Sequence, residues 1–232
     1  MSYGISILVS GEYALFTRPE MKAERVSYDV ITPSAARGIL EAIYWHPGLL
    51  WRIDKITVLN EIVFDSIRRN ELGSKIPPRN VKQAIDGSDI DLHQYIQDDR
   101  QQRASLLLRN VSYIIDAHFD VHTEKIEQDQ DEEGLSKEEI TKKFYNIFLR
   151  RARKGQCYHQ AYFGCREFPA FYELIEEGAE RPQSFYINEA SHDLGWMLWD
   201  IEYKETPQEF TPRFFRAEMK NGVINVPQEV SL

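Results

Sequence analysis

Leu106-Leu107-Leu108-Arg109-Asn110-Val111-Ser112-Tyr113-Ile114-Ile115-Asp116-Ala117-His118-Phe119-Asp120-Val121 is the stretch on which the fold turns. Val111, Tyr113 and Ile115 fall on one face, and Ser112, Ile114, Asp116 and His118 on the other. A period of two over so many residues predicts a long strand running through the middle of a sheet. Upstream, Trp51 to Phe64 alternates through Ile53, Ile56, Val58 and Ile62 and predicts a second long strand. Before it, Thr32-Pro33-Ser34 opens a helix: Thr32 caps, Pro33 suits the first turn, and Ala36, Ile39, Leu40 and Ile43 recur at helical spacing until Pro47-Gly48. Ile5 to Val9 reads as a buried strand continued by Gly11 to Phe16 beyond a glycine bulge, and Val26 to Ile31 as another extended piece.

Downstream, Glu124 to Glu139 holds eight acidic residues against Lys125 and Lys137, a solvated loop feeding a helix. Ser136 and Glu139 form a capping box, and Ile140, Phe144, Ile147 and Phe148 carry the helix to Lys154-Gly155. Tyr162 to Phe168 is then a short strand. Strand, helix, strand, strand, helix, strand is the split arrangement of a ferredoxin-like α+β domain, here residues 1–170. About 65–105, with Gly73, Pro77-Pro78 and Gly87, reads as an insertion with at most a short helix near Leu92 to Ile96. Residues 171–232 read as a small antiparallel β unit. It contains the Trp-rich strand Gly195 to Tyr203 and a hairpin turned at Asn221-Gly222.

The chain has 232 residues, 28 basic and 37 acidic, for a net charge of -9. That balance disfavours a phosphate-rich partner until its distribution is read. Lys142, Lys143, Arg150, Arg151, Arg153, Lys154 and Arg166 fall in a segment that contains no acid at all. The rest of the chain therefore carries -16 and this strip +7. No apolar run reaches the roughly 20 residues of a membrane helix, and Met1 to Ser10 has no leader pattern, so a cytoplasmic protein is expected. Cys157 and Cys165, the only cysteines, form no C-x-x-C pair and suit a reducing compartment. His46, His93, His122 and His192 lack ligand spacing, so no metal is expected. Phosphate-loop, nucleophile-elbow and dinucleotide glycine motifs are missing, which argues against those chemistries.

Guanidinium forks suit phosphate, and Tyr158 and His159 suit stacking on unpaired bases, so the basic helix and its loop fit single-stranded or looped RNA. The competing reading is a solvated helix end whose cations complement the dipole. Arg37 and Tyr44 share a helix face; by spacing alone Tyr44 is a half-buried core residue with its hydroxyl at the rim. Asp116 and His118 share a strand face, pairing a carboxylate with the side chain best suited to proton transfer, although on these residues alone a satisfied core or rim histidine is the better reading.

Gly11-Glu12-Tyr13-Ala14-Leu15-Phe16, Thr32 to Ile39, Glu41-Ala42-Ile43-Tyr44-Trp45-His46-Pro47, Ala117-His118-Phe119, Phe163 to Phe168 and Phe215 to Gly222 resemble the CRISPR-associated protein 5 family of the Dvulg type, subtype I-C. The resemblance runs along nearly the whole chain. It implies a ferredoxin-like (RNA-recognition-motif-like) domain with a small C-terminal antiparallel sheet. It also implies a metal-independent endoribonuclease without cofactor that cuts precursor CRISPR RNA in its repeat. The product's 5′ handle stays bound, and the protein serves antiviral defence as a subunit of the Cascade complex beside its backbone and large subunits. An alternative within the broader family is a non-catalytic clasp of that handle.

By this resemblance Tyr44, Asp116 and His118 occupy the catalytic positions, and Arg37, Arg150, Arg151, Arg153, Lys154, Tyr158, His159 and Arg166 are expected on the RNA. Asp116 stands where a lysine is expected. An acid there cannot stabilise charge building on the phosphate, so Arg37, Lys125 or Lys154 would serve, and Asp116 would hold His118 in one tautomer.

Overall fold

A computed structural model describes residues 4–21, 23–122, 124, 126, 134–203 and 210–230. Its main feature is an antiparallel sheet built on β5 (Arg100–Val121). The C-terminal half of β5 pairs on one side with β1 (Ile5–Ala14) and on the other with β3 (Leu49–Val58), and β6 (Phe171–Leu174) lies outside β1. Beyond β3 the sheet continues through β9 (Val223–Asn225), β8 (Phe210–Lys220) and β7 (His192–Tyr203), giving the order β6-β1-β5-β3-β9-β8-β7.

Helices α1 (Pro33–Ile43) and α3 (Lys137–Arg153) pack on one face. Thr32 caps α1 by accepting from the Ala35 amide, and α3 begins with the reciprocal Ser136–Glu139 box. Ile39, Leu40 and Ile43 from α1 and Phe144 and Phe148 from α3 bury themselves against Ile7, Val9, Trp51, Tyr113 and Ile115 of the sheet. The Trp51 ring meets Phe119 edge-on at 5.2 Å and lies tilted 4.9 Å from Phe148, which marks the odd-numbered positions of β5 as the helix-covered face. Truncating a ring in this layer would cost about 3–5 kcal/mol. Among the described residues, no helix is long and apolar enough to cross a membrane.

Several local expectations change. The β1–β5 ladder keeps one register from Ile5–Ala117 to Ala14–Leu108, so Gly11, paired with Val111, is not a bulge. It is small because a Cβ there would sit 2.8 Å from the Phe163 ring. Of Val26 to Ile31, only Val26 lies in a strand, β2 (Arg25–Val26), parallel to β5, and Ser27 makes an isolated bridge to Thr17. Trp51 to Phe64 is two strands, because the ladder to β5 breaks between Val58–Tyr113 and Val63–Arg109, where this side has one extra residue, and resumes as β4 (Val63–Leu72).

Nor is the stretch about 65–105 shapeless. β4 pairs residue for residue with Arg100–Arg109 to make a ribbon, and the helix it carries is α2 (Pro78–Ile85), not Leu92 to Ile96. The ribbon buries little on either side, so its sequence lacks the apolar alternation of a half-buried strand. The strand after α3 is β6, while Tyr162 to Phe168 turns back on itself through a lone Tyr162–Pro169 bridge, since proline cannot donate to a ladder. The Asn221-Gly222 turn forms as expected, with both residues at positive φ (50° and 81°).

Candidate catalytic residues and nucleic-acid interface

Pairing of β3 with β5 slips between Ile53 and Lys55, so Asp54 is the extra residue of a β-bulge. Arg52 lies opposite His118 and reaches Asp120, which puts these even-numbered β5 residues on the face away from the helices. The bulge carries the Asp54 carboxylate to His118, whose Nδ1 lies 2.8 and 2.9 Å from its two oxygens. Asp54 also accepts from Gln228 Nε2 at 3.1 Å. With Nδ1 as the N–H facing the carboxylate, Nε2 is the nitrogen left for proton transfer.

Asp116 is not the partner of His118. Its buried side chain accepts from Ser6 Oγ and from both terminal nitrogens of Arg181, at 3.0 and 2.8 Å. Lys55 Nζ stands 3.7 Å from the same carboxylate. The hydrogen bonds to Asp116 hold the Arg181 guanidinium still further above its usual range. Of the cations expected to serve in place of a lysine, Arg37 is tied to Asp200 and Glu41, Lys154 lies past the end of α3, and Lys125 lies outside the described residues. Burial beside that pair pushes the Glu41 carboxyl up, against the pull of Arg37.

Tyr44 ends α1. Its amide donates to the Leu40 carbonyl, its own carbonyl accepts from Trp51 Nε1 at 3.1 Å, and its ring meets Phe144 edge-on at 5.9 Å. The Arg151 guanidinium is 5.9 Å from the ring centroid. All of this lies on the helix-covered face, so Tyr44 and His118 occupy opposite faces of the sheet and the structure does not bring them together.

On the Tyr44 side, the loop after α3 brings aromatic side chains up to the end of α1. The Tyr158 amide donates to the Ala42 carbonyl at 2.8 Å, docking the loop after α3 onto the last turn of α1. The Tyr158 ring is 85% exposed, and His159 stands 6.2 Å from it and 6.0 Å from Tyr162. Trp45 is exposed beside Tyr44, and Arg150, Lys154 and Arg166 are exposed without an ion pair among the described residues. Arg153 differs, because Glu176 holds it through Nε and Nη2 at 2.6 and 2.9 Å.

Reading the residues in order missed Asp54, Lys55 and Arg181. A signal for the first two exists: the buried positions step by two through Leu49, Trp51 and Ile53, then by three to Ile56, the mark of one inserted residue. Arg181 comes from an irregular segment, where periodicity says nothing.

Comparison with known proteins agrees with this architecture. A solved structure described as that of a CRISPR-associated protein shares 27% identity with a TM-score of 0.68, with all of this chain and 96% of that one covered. A functionally uncharacterised protein from Streptococcus mutans has the same fold, with a TM-score of 0.66 at 24% identity over all of this chain and 96% of that one. The family model described as CRISPR-associated protein (Cas_Cas5) matches residues 4–227, and the chain belongs to this family. Among curated relatives, a protein of Mannheimia succiniciproducens named CRISPR pre-crRNA endoribonuclease Cas5d is 51% identical, with 98% of this chain and 96% of that one covered. A protein of Thermus thermophilus with the same name is 34% identical, with coverage of 97% and 92%.

Proposed function

We propose that this chain is a precursor CRISPR RNA endoribonuclease that cuts within the repeat and keeps the 5′ handle of its product. The names of the two curated relatives support the activity. The observation that carries the chemistry is the His118–Asp54 pair beside Lys55 and Arg181. In the step proposed, the 2′-oxygen of the RNA bonds to the adjacent phosphorus and the bond from phosphorus to the 5′-oxygen breaks. The products are a cyclic phosphate and a free 5′-hydroxyl. One proton leaves the attacking hydroxyl and one reaches the departing oxygen, and His118 Nε2 performs a transfer while Asp54 orients the ring. No metal enters this scheme.

Asp116 serves in it by holding two cations in place. Tyr44, with an ordinary phenol pKa near 10, is a poor base at neutral pH and acts from the RNA-seating side, with Arg150, Arg151, Lys154, Tyr158, His159 and Arg166. Arg37 and Arg153, held by their own carboxylates, are assigned secondary parts.

The finer reading of the fold rests on the order β6-β1-β5-β3 with both helices on one side, which fits a ferredoxin-like unit that takes in β6. The following β7 to β9 form the small C-terminal unit and extend the same sheet. The acidic body outside the basic strip fits a place among other Cascade subunits in the cytoplasm, where it would discourage stray nucleic acid.

A second reading, a clasp that binds the handle without cutting, draws on the separation of Tyr44 from His118. Incubating the purified protein with its own repeat RNA in excess chelator tests both. A discrete cut, lost in His118→Ala with binding kept, is the expected result; tight binding without a cut in the natural chain selects the clasp.

A further inference from the structure

We propose that Lys55 and Arg181 form the seat of the scissile phosphate, with Asp116 as the anchor that aims them. This rests on the endoribonuclease reading and names the groups that receive the substrate at that site. A cleft of about 810 Å³ opens where the start of β1, the bulge of β3, the C-terminal half of α3 and the segment after β6 meet, and Ser6, Asp54, Lys55, Asp116, Arg153 and Arg181 are among the residues that line it. One bulge thus delivers two adjacent side chains to two tasks: Asp54 turns to His118, and Lys55 turns to Asp116.

The cluster is unevenly charged. A single buried carboxylate faces two cations, so Asp116, Lys55 and Arg181 together carry one surplus positive charge. Arg181 is locked, with both terminal nitrogens on Asp116 and one also on Ser6 Oγ at 2.7 Å. Its remaining donors, and the ammonium of Lys55, which stands beyond hydrogen-bonding distance of Asp116, remain for an incoming anion. The other acids of the cleft are Asp54, which faces His118, Glu176, which holds Arg153, and Glu177 next along the segment.

Asp116 and His118 are two residues apart on one strand face, about 6.6 Å. A phosphate seated on Lys55 and Arg181 would therefore place its neighbouring ribose within reach of His118. Two cations brought from β3 and from beyond β6 are thus oriented by one buried acid. Pre-positioned donors of this kind stabilise charge that builds on a phosphorane without reorganising.

The test uses repeat RNA with a 2′-deoxy nucleotide at the cut, so that binding is measured without cleavage. Because Arg181→Met alone would strand the buried Asp116 charge, it is made together with Asp116→Asn. Combined with Lys55→Met, that variant should lower the slope of log affinity against log salt by about 1.4, about 0.7 for each lost phosphate contact. On cleavable RNA, Lys55→Met should slow single-turnover cutting about 100- to 1000-fold, and Lys55→Arg should restore most of the rate. An unchanged salt slope, or Lys55→Met cutting at the natural rate, overturns the inference. A natural chain that binds but never cuts overturns the endoribonuclease reading instead, and the salt slope still decides the phosphate seat.

Discussion

Asp54→Asn tests whether the bulge exists to orient a histidine. The carboxylate stands 2.8 and 2.9 Å from His118 Nδ1, and its side chain is 39% exposed. A hydrogen bond to a charged group contributes about 1.5–3 kcal/mol, and solvent screening at this exposure places the present one in the lower part of that range, about 1.5–2 kcal/mol. At about 1.36 kcal/mol per tenfold, single-turnover cleavage should slow about 10- to 30-fold. The amide keeps the shape of the side chain, so melting temperature and RNA affinity should barely move. The control is a double-mutant cycle. If Asp54 acts through His118, Asp54→Asn costs nothing further in a His118→Ala background. A natural rate in the single variant, or a full additional loss in the double, would refute the orienting role.

Other perturbations reach the remaining parts of the account. Reversing Arg150 and Lys154 to Glu should weaken repeat-RNA binding and lower its salt slope by about 1.4, whereas Arg153→Glu should do less because Glu176 already holds that arginine; titrations at several salt concentrations separate them. Gly164→Ala places a side chain at φ 77° against the Leu15 carbonyl, a loss of about 3 kcal/mol, which calorimetry would read as a fall of about 6–12 °C in Tm. Burial raises the Glu41 carboxyl, so the folded chain holds that proton more tightly than the unfolded chain does. Its stabilising effect is complete below the ordinary glutamate value, about 4.3, and is lost as pH rises through the raised one. Glu41→Gln should accordingly gain Tm relative to the natural chain at pH 7 but not at pH 4.

The elements facing the core were legible because burial imposes a period. Leu106 to Val121, the Thr32-Pro33 helix start, the Ser136–Glu139 box and the Asn221-Gly222 turn each carry a local signal with one physical meaning, and each forms as read. The β4–β5 ribbon escaped because side chains that bury little leave no apolar alternation. Gly11 misled for a related reason: its smallness answers Phe163, which lies far along the sequence.

The site divides in the same way. His118 and Tyr44 were legible as residue types on a strand and at a helix end, but which face each occupies depends on ladder register and helix packing. Asp116 was read as the partner of His118 because strand period makes them neighbours. The bulge supplies Asp54 to His118 instead, and a long-range ion pair claims Asp116. Dividing the charge along the chain located the basic strip on α3 and the loop after it, and the structure docks that loop on the end of α1 and sets Arg151 against Tyr44.

The most direct measurement is single-turnover cleavage of the chain's own repeat RNA in excess chelator, by the natural protein and by His118→Ala at matched RNA occupancy. The account predicts one discrete cut leaving a cyclic phosphate and a 5′-hydroxyl, slowed by at least about 100-fold in the variant. A cut that vanishes with the metal, or one that His118→Ala makes at the natural rate, would contradict it.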